Sequence, residues 1–335
     1  MRVKLLTPSS DHSDRPPLPQ AALPDLLLVN PAAGGGLGGR VLPDLKRFAA
    51  THNWRAELAL TESPAAFTRK AEEAACAGRE RIFAVGGDGT FQLLLNALQK
   101  SPQTILGIIP AGGGNDLAAA LGLPADPLRA AALLLHGEVC PLDAVRVRTA
   151  EGNEWLYTGG GGVGLDAEAA RCASGVYRHL HGRFRYLLSA IHALTSFRAF
   201  ATTVNAGDGE SPFHLQKTLL ACVLNTPSYG AGLALAPDAK IDDGKLELVL
   251  LEELSFLEIL ALLPSLALRG ELKTARVKRR SVACVRIQTD PPRDFHGDGE
   301  ILGTTPVEIS VVPRACRVLR APRTGPSFDR ASSSA

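Results

Sequence analysis

The chain has 335 residues, 45% of them hydrophobic and 21% charged, with a formal net charge of +2 at pH 7. That length exceeds what one ordinary hydrophobic core takes up, so two domains are expected; so small a net charge argues against nucleic acid as a partner and leaves any anionic ligand to local geometry. The six cysteines (Cys76, Cys140, Cys172, Cys222, Cys284, Cys316) include no C-x-x-C pair, which argues against a zinc site or a disulfide framework and for reduced thiols in a cytoplasmic protein.

Residues 1–23 lack the apolar stretch of a signal peptide and, rich in Pro, Ser and Asp, read as a disordered leader; residues 322–335 read as a disordered tail. The first domain is expected over residues 24–142. "DLLLV" (Asp25 to Val29) predicts a buried strand, "RVLPDLKRFAATHN" a helix and "RAELAL" a second strand. "SPAAFTRKAEEAACAG" predicts a helix capped by Ser63 with Pro64 at its first position. "RIFAV", a helix from Phe91 and "ILGIIP" continue the rhythm, and the alternation predicts a doubly wound parallel sheet. From about Asp143 the pattern changes. "AVRVRT", "AFATTVNAG", "TLLACVLN", "KLELVLLE", "SVACVRIQT" and "PVEISVVP" predict a mainly antiparallel second domain over 143–304, with one helical insertion around Ala167 to Phe197. No apolar run reaches the ~18 residues of a membrane span. The longest, "FLEILALLPSLAL", contains Glu258 and Pro264.

Three strand ends carry glycine-rich loops: "VNPAAGGG" (Val29 to Gly36), "VGGDGT" (Val85 to Thr90) and "IIPAGGGNDLA" (Ile108 to Ala118). After Thr90, the apolar residues Phe91, Leu94, Leu95 and Leu98 recur at helical spacing. Gly86, Gly87, Asp88, Gly89 and Thr90 therefore sit between a strand end and a helix N-terminus, in the crevice where open α/β sheets bind ligands. Unpaired N–H groups there favour phosphate, and glycine lets the backbone approach it. Asp88 would repel phosphate unless it holds a metal ion or a substrate hydroxyl; a tight turn with Asp88 as helix cap is the plainer alternative. Asn115 and Asp116 could serve a hydrated metal ion or a ribose, or Asn115 could cap a helix. Gly34, Gly36 and Gly39, with Glu57 about 20 residues on, also spell the G-x-G-x-x-G fingerprint of a dinucleotide-dependent oxidoreductase. That alternative leaves Asp88 and Glu300 without roles. "HGDGE", with Asp298 and Glu300, reads either as an Asp-Gly turn or as a pair of working carboxylates. Lys273, Arg276, Lys278, Arg279 and Arg280 beside the apolar stretch, and "YRHLHGRFRYLL", suit docking on anionic lipid at ~1 kcal/mol per charge, or form solvated faces.

Taken in order, "NPAAGG", "VGGDGT", "PAGGGNDLA", "GGGGVGLDA", "APDAKIDDGKLELV" and "HGDGE" resemble the diacylglycerol-kinase-like lipid kinases of bacteria, relatives of sphingosine and ceramide kinases and, more distantly, of NAD kinases and phosphofructokinases. The likeness runs from about Leu26 to Leu319. It implies a nucleotide domain, a β-sandwich, an active site in the cleft between them, and a segment over 305–321 that returns toward the first domain. It implies ATP and Mg²⁺ at Asn30, Thr61, Gly86 to Thr90, Gly112, Gly113, Gly114, Asn115 and Asp116, with Asp88 near the catalytic Mg²⁺. Gly113 departs from the family, which commonly has a nucleotide-contacting Thr there. The likeness makes Glu300 the general base, assisted by Asp298. It also implies a structural Mg²⁺ at the Asp243 carboxylate and the Lys240 and Lys245 carbonyls. The implied substrate is a hydroxyl lipid such as diacylglycerol, met by a cytoplasmic enzyme peripheral to the membrane; a sphingoid base, an NAD kinase-like activity and a homodimer remain open.

Overall fold

The computed structural model describes residues 23–165, 197–207, 212–230, 232–255, 257–258, 262 and 274–322. Leader and tail, but for Leu23 and Pro322, lie outside the described residues, as do the helical insertion up to Ser196, "YRHLHGRFRYLL", Cys172, Lys273 and most of "FLEILALLPSLAL". No helix among the described residues is long and apolar enough to cross a membrane.

Uninterrupted apolar runs become strands buried on both faces. β1 (Asp25–Val29) is buried along its whole length. Helix α1 (Ala33–Thr51) opens on a left-handed turn at Gly34, Gly35 and Gly36 and returns the chain to β2 (Ala56–Leu60) at the sheet edge. α2 (Pro64–Cys76) is capped as the sequence predicts, the Ser63 hydroxyl accepting the Ala66 N–H at 3.2 Å. β3 (Arg81–Gly86) leads into α3 (Asp88–Ala97). That helix begins three residues before the expected Phe91: Gly87 is extended and its carbonyl accepts the N–H groups of Thr90 and Phe91 at 3.0 and 3.1 Å. Asp88, Gly89 and Thr90 thus form the first helical turn. β4 (Ile105–Pro110), α4 (Asp116–Ala120) and α5 (Pro127–Leu134) follow. The strands run parallel in the order β4-β3-β1-β2, and Val29 lies beside both Leu60 and Val85 while Gly86 lies beside Pro110. All four strands therefore release their loops at one level.

The second half is antiparallel. β5 (Glu138–Thr149) and β6 (Glu154–Tyr157) form a hairpin, and β7 (Gly160–Gly164) is a strand made almost wholly of glycine. β8 (Phe200–Asn205), β9 (Phe213–Leu224) and β10 (Leu246–Glu252) build the centre. β9 is buried on both sides: Ala221 and Val223 face one core while Leu220, Cys222 and Leu224 face another. The predicted single strand "SVACVRIQT" is two, β11 (Val277–Val282) and β12 (Cys284–Asp290), broken at Ala283, whose carbonyl accepts the Val311 N–H at 2.9 Å. β13 (Asp294–Gly297) and β14 (Glu300–Thr304) make a hairpin, and β15 (Val307–Arg320) ends the described chain but for Ala321 and Pro322. β15 pairs with β5 and β12 in the second half, and its last residues pair parallel with β4, Arg317 beside Ile105. The doubly wound first domain and the β-sandwich agree with the fold the sequence predicts.

Candidate active site

The three glycine loops are packed on one another. Asn30 donates from Nδ2 to Thr90 Oγ1 at 3.1 Å and accepts the Ala32 N–H on Oδ1 at 3.1 Å, so the loop after β1 is tied to the first turn of α3. A Cβ on Gly86 would lie 2.3 Å from Thr90 Oγ1, and one on Gly112 would lie 2.4 Å from Gly87 Cα. One on Gly34 would lie 2.3 Å from the Ala111 carbonyl oxygen. Backbone thus touches backbone from loop to loop, which only glycine permits. Asn115, left-handed at φ 61°, braces the third loop by accepting the Gly112 N–H at 2.9 Å and donating to the Gly112 carbonyl at 3.1 Å. Gly113 and Gly114 are half-exposed between them. Thr61, at the end of β2, is buried, and its N–H and hydroxyl both donate to the Val29 carbonyl at 3.0 Å.

Carboxylates converge on this edge. Asp88 does not cap its own helix; its two oxygens accept the N–H groups of Asp116 (3.2 Å) and Leu117 (3.0 Å) at the start of α4. Burial, with the negative charges of Asp116 and Asp298 adding to it, pushes its carboxyl from 3.8 up to about 7. Asp116 is buried, and its Oδ1 accepts the Ser228 hydroxyl at 2.6 Å and the Gly232 N–H at 3.0 Å, both from the second domain. From the other side comes the β13–β14 hairpin. Asp298 and Gly299 (φ 50° and 89°) form its turn, with both central residues left-handed as a tight hairpin requires. The Asp298 carboxylate accepts the N–H groups of Thr158 (2.9 Å), Gly159 (2.9 Å) and Gly160 (3.2 Å) and the Thr158 hydroxyl (3.2 Å). Burial raises its pKa against the pull of these donors. The Glu300 side chain has no hydrogen bond or ion pair to the described residues, and burial raises its pKa as well. It faces the first domain: a Cβ on Gly89 would lie 3.6 Å from Glu300 Oε1 and 3.4 Å from the Asp298 carbonyl oxygen. "VGGDGT", "GNDLA" and "HGDGE" therefore meet at one place.

The "KIDDGK" residues lie apart from this cluster. Lys240, Asp243 and Lys245 are exposed, and Asp243 Oδ1 accepts the Lys245 N–H at 3.0 Å. The residue that organises the segment was not singled out by the sequence. Asp143 is fully buried; its carboxylate accepts the N–H groups of Gly244 (2.6 Å) and Arg314 (2.7 Å), and its own N–H donates to the Ile241 carbonyl (2.7 Å). A lone acid within the apolar strand "PLDAV" was the available signal. Asn225, fully buried, was missed too; it donates to the carbonyls of Asp143 (3.0 Å) and Thr158 (3.2 Å). Among the described residues no three His, Cys, Asp or Glu side chains are grouped to hold a metal ion. Mg²⁺ beside phosphates takes one or two carboxylates and completes its shell with phosphate oxygens and water. Asp88 fits that demand, because a cation would offset the like charges and burial that raise its pKa. Glu57, the acid in the alternative dinucleotide fingerprint, is paired with Arg79.

The described geometry is a doubly wound domain set against a β-sandwich, with carboxylates of the second domain facing the glycine loops of the first. Residues 24–147 match the diacylglycerol kinase catalytic domain, and residues 161–320 match the YegS C-terminal NAD kinase beta sandwich-like domain. The chain is 34% identical over 257 residues to a diacylglycerol kinase of Mycobacterium tuberculosis, spanning 74% of this chain and 79% of the relative. It is 27% identical to a diacylglycerol kinase of Bacillus subtilis over 84% of this chain and 91% of that one. A solved diacylglycerol kinase from Bacillus anthracis, at 21% identity, shares the fold with a TM-score of 0.64, covering 90% of this chain and 97% of its own. The chain belongs to the bacterial diacylglycerol-kinase-like lipid kinase family.

Proposed function

We propose that the protein transfers the γ-phosphate of ATP to the hydroxyl of a diacylglycerol-type lipid at the membrane surface. The observation that carries this reading is the position of Glu300, a carboxylate without a partner among the described residues, across the cleft from the first turn of α3. The loop N–H groups and the positive end of α3 would receive the phosphates, with Asn30, Thr61, Gly86 to Thr90 and Gly112 to Asp116 shaping the cradle. Gly113, lacking a side chain, offers only backbone to the nucleotide. When bound, Mg²⁺ supplies neutralisation of phosphate charge, and Asp88 with Asp116 would hold it. Glu300 takes the proton from the lipid hydroxyl. Asp298 fixes the hairpin that presents Glu300, and its four donors leave it poorly placed to accept that proton itself. Phosphoryl transfer depends mostly on positioning and charge, so a modest base is sufficient. A second Mg²⁺ beside Asp243 and the Lys240 and Lys245 carbonyls would act on folding of that segment rather than on chemistry.

The test is phosphorylation of diacylglycerol in mixed micelles with Mg²⁺ and ATP, the product identified by mass spectrometry. Asp88→Asn should lower the rate by roughly 10³-fold or more with the fold retained, since it removes a charge at the phosphate edge while nearly keeping volume. Wild-type-like activity in that variant would overturn the role of Asp88. Transfer to a sphingoid base or to NAD in preference to diacylglycerol would reassign the substrate.

A further inference from the structure

One loop, following β9, touches both halves of the site. Ser228 Oγ and the Gly232 N–H both reach Asp116 Oδ1, at 2.6 and 3.0 Å, on the phosphate side. The neighbouring Tyr229 turns the other way. Its hydroxyl lies 2.8 Å from His296 Nε2, and the two rings stack with centroids 6.1 Å apart and planes 19° apart. His296 is buried in β13, two residues before Asp298 and four before Glu300. The Tyr229 ring also covers Gly160, where a Cβ would lie 2.5 Å from it, and the Gly160 N–H is one of the donors that hold Asp298. The loop is closed on itself by paired backbone bonds between Tyr229 and Leu233, at 2.9 and 3.0 Å. Its root is fixed by the Asn225 N–H on the Gly159 carbonyl, at 2.8 Å. Adjacent residues therefore grip the aspartate that neighbours Asp88 and β13, the strand that leads into the turn before Glu300.

We infer that Ser228 and Tyr229 are positioning residues, a strut that sets the place of Glu300 relative to the phosphate loops. The role given to Glu300 is the one proposed above, so the inference rests on that reading; the strut itself does not. Ser228 has no need to meet substrate to matter. Loosening its bond to Asp116 leaves the loop tied to that carboxylate by the Gly232 N–H alone, and through Tyr229 and His296 weakens one of the supports of the hairpin turn.

The strut is tested in the intact chain by amide hydrogen exchange without ligand and by steady-state kinetics. Ser228→Ala should speed exchange at the Asp298 N–H, which donates to the Gly160 carbonyl at 2.9 Å, by roughly threefold or more, as expected for a local opening made easier. Ser228→Thr, which keeps the hydroxyl, should restore the slow exchange. Faster exchange confined to residues 112–117 and 228–232 would overturn the strut. In turnover, Tyr229→Phe should lower kcat about tenfold with the KM for ATP unchanged, and should cost nothing further in a Glu300→Gln background. An undiminished loss in that background makes Tyr229 a fold residue and overturns its positioning role. A wild-type chain that phosphorylates no lipid refutes the proposed function, and the exchange measurement still decides the strut.

Discussion

Asp298 and Glu300 stand two residues apart in one hairpin and have opposite surroundings. Asp298 is saturated by four donors, while Glu300 has none among the described residues. Glu300→Gln should therefore lower kcat by roughly 10²-fold or more, within the ~10² to 10⁴ that general-base help contributes, with little change in the KM for ATP. Asp298→Asn should instead show as lost stability of about 1–3 kcal/mol, because an amide nitrogen would face backbone donors. A stable Asp298→Asn protein that alone loses turnover would reverse the two assignments. Since burial raises the Glu300 pKa, the acid limb of the kcat profile should shift upward with it and vanish in Glu300→Gln. Asp88 makes a separate pH prediction. Its carboxyl rises from 3.8 to about 7, so between those values the folded chain holds a proton that the unfolded chain has released. Stability of the ligand-free protein should fall as pH rises through that window, and Asp88→Asn should flatten the dependence. Calorimetric melting at pH 5 and pH 8 decides it; a higher midpoint at pH 8 with the same slope in both proteins refutes the shift.

At the scale of elements, the glycine loops are spacers as well as a proposed cradle. Gly112→Ala would drive a methyl to 2.4 Å from Gly87 Cα and 2.8 Å from Asn115 Oδ1. The protein should still fold, with its melting temperature lowered and its KM for ATP raised about tenfold; ATP binding is read by titration calorimetry, and unchanged affinity would mean the loops move apart harmlessly. These loops were legible in the sequence because glycine clusters at strand ends carry a local meaning. So was α2, whose Ser63–Pro64 start is a local cap. β7 was not legible as a strand. Its glycines have no strand propensity and are there because a Cβ on Gly161 would lie 2.5 Å from the His296 carbonyl oxygen, and one on Gly162 2.7 Å from that of Ala221. Asp143 and Asn225 escaped for a related reason. Their partners are distant in the chain, Asn225 reaching back to residues 143 and 158, and no local pattern encodes a bond of that span. The meeting of "VGGDGT" with "HGDGE" was expected through the family likeness, whereas the order of the motifs along the chain says nothing of how close the hairpin comes to Gly89, where an added Cβ would lie 3.6 Å from Glu300 Oε1.

For the whole molecule, β5 and β15 are the spine. They pair along most of their length, with a register shift between Val312 and Cys316 where Asp143 holds the Arg314 N–H. Across the same boundary the Asn96 side chain of α3 pairs with both backbone groups of Leu156 in β6, at 2.8 and 3.1 Å. Leu156 is buried in the core of the first domain, while Tyr157 beside it belongs to the second. The two domains should therefore melt together. A chain ended after Thr305 should fail to give a soluble first domain, although every residue of β1 to β4 is present, since the edge of β4 stays bare. A soluble, ligand-competent fragment of that length would show that the sheet tolerates the missing strand. The pairing of Arg317 with Ile105 also bears on how the protein is made. During translation the strand that finishes the first sheet emerges last, some 200 residues after the strand it covers, or about 10–40 s at ~5–20 residues/s. The nascent chain must carry an open sheet edge through that interval, so the ribosome-bound half-made protein, rather than the finished enzyme, is where chaperone protection would be needed.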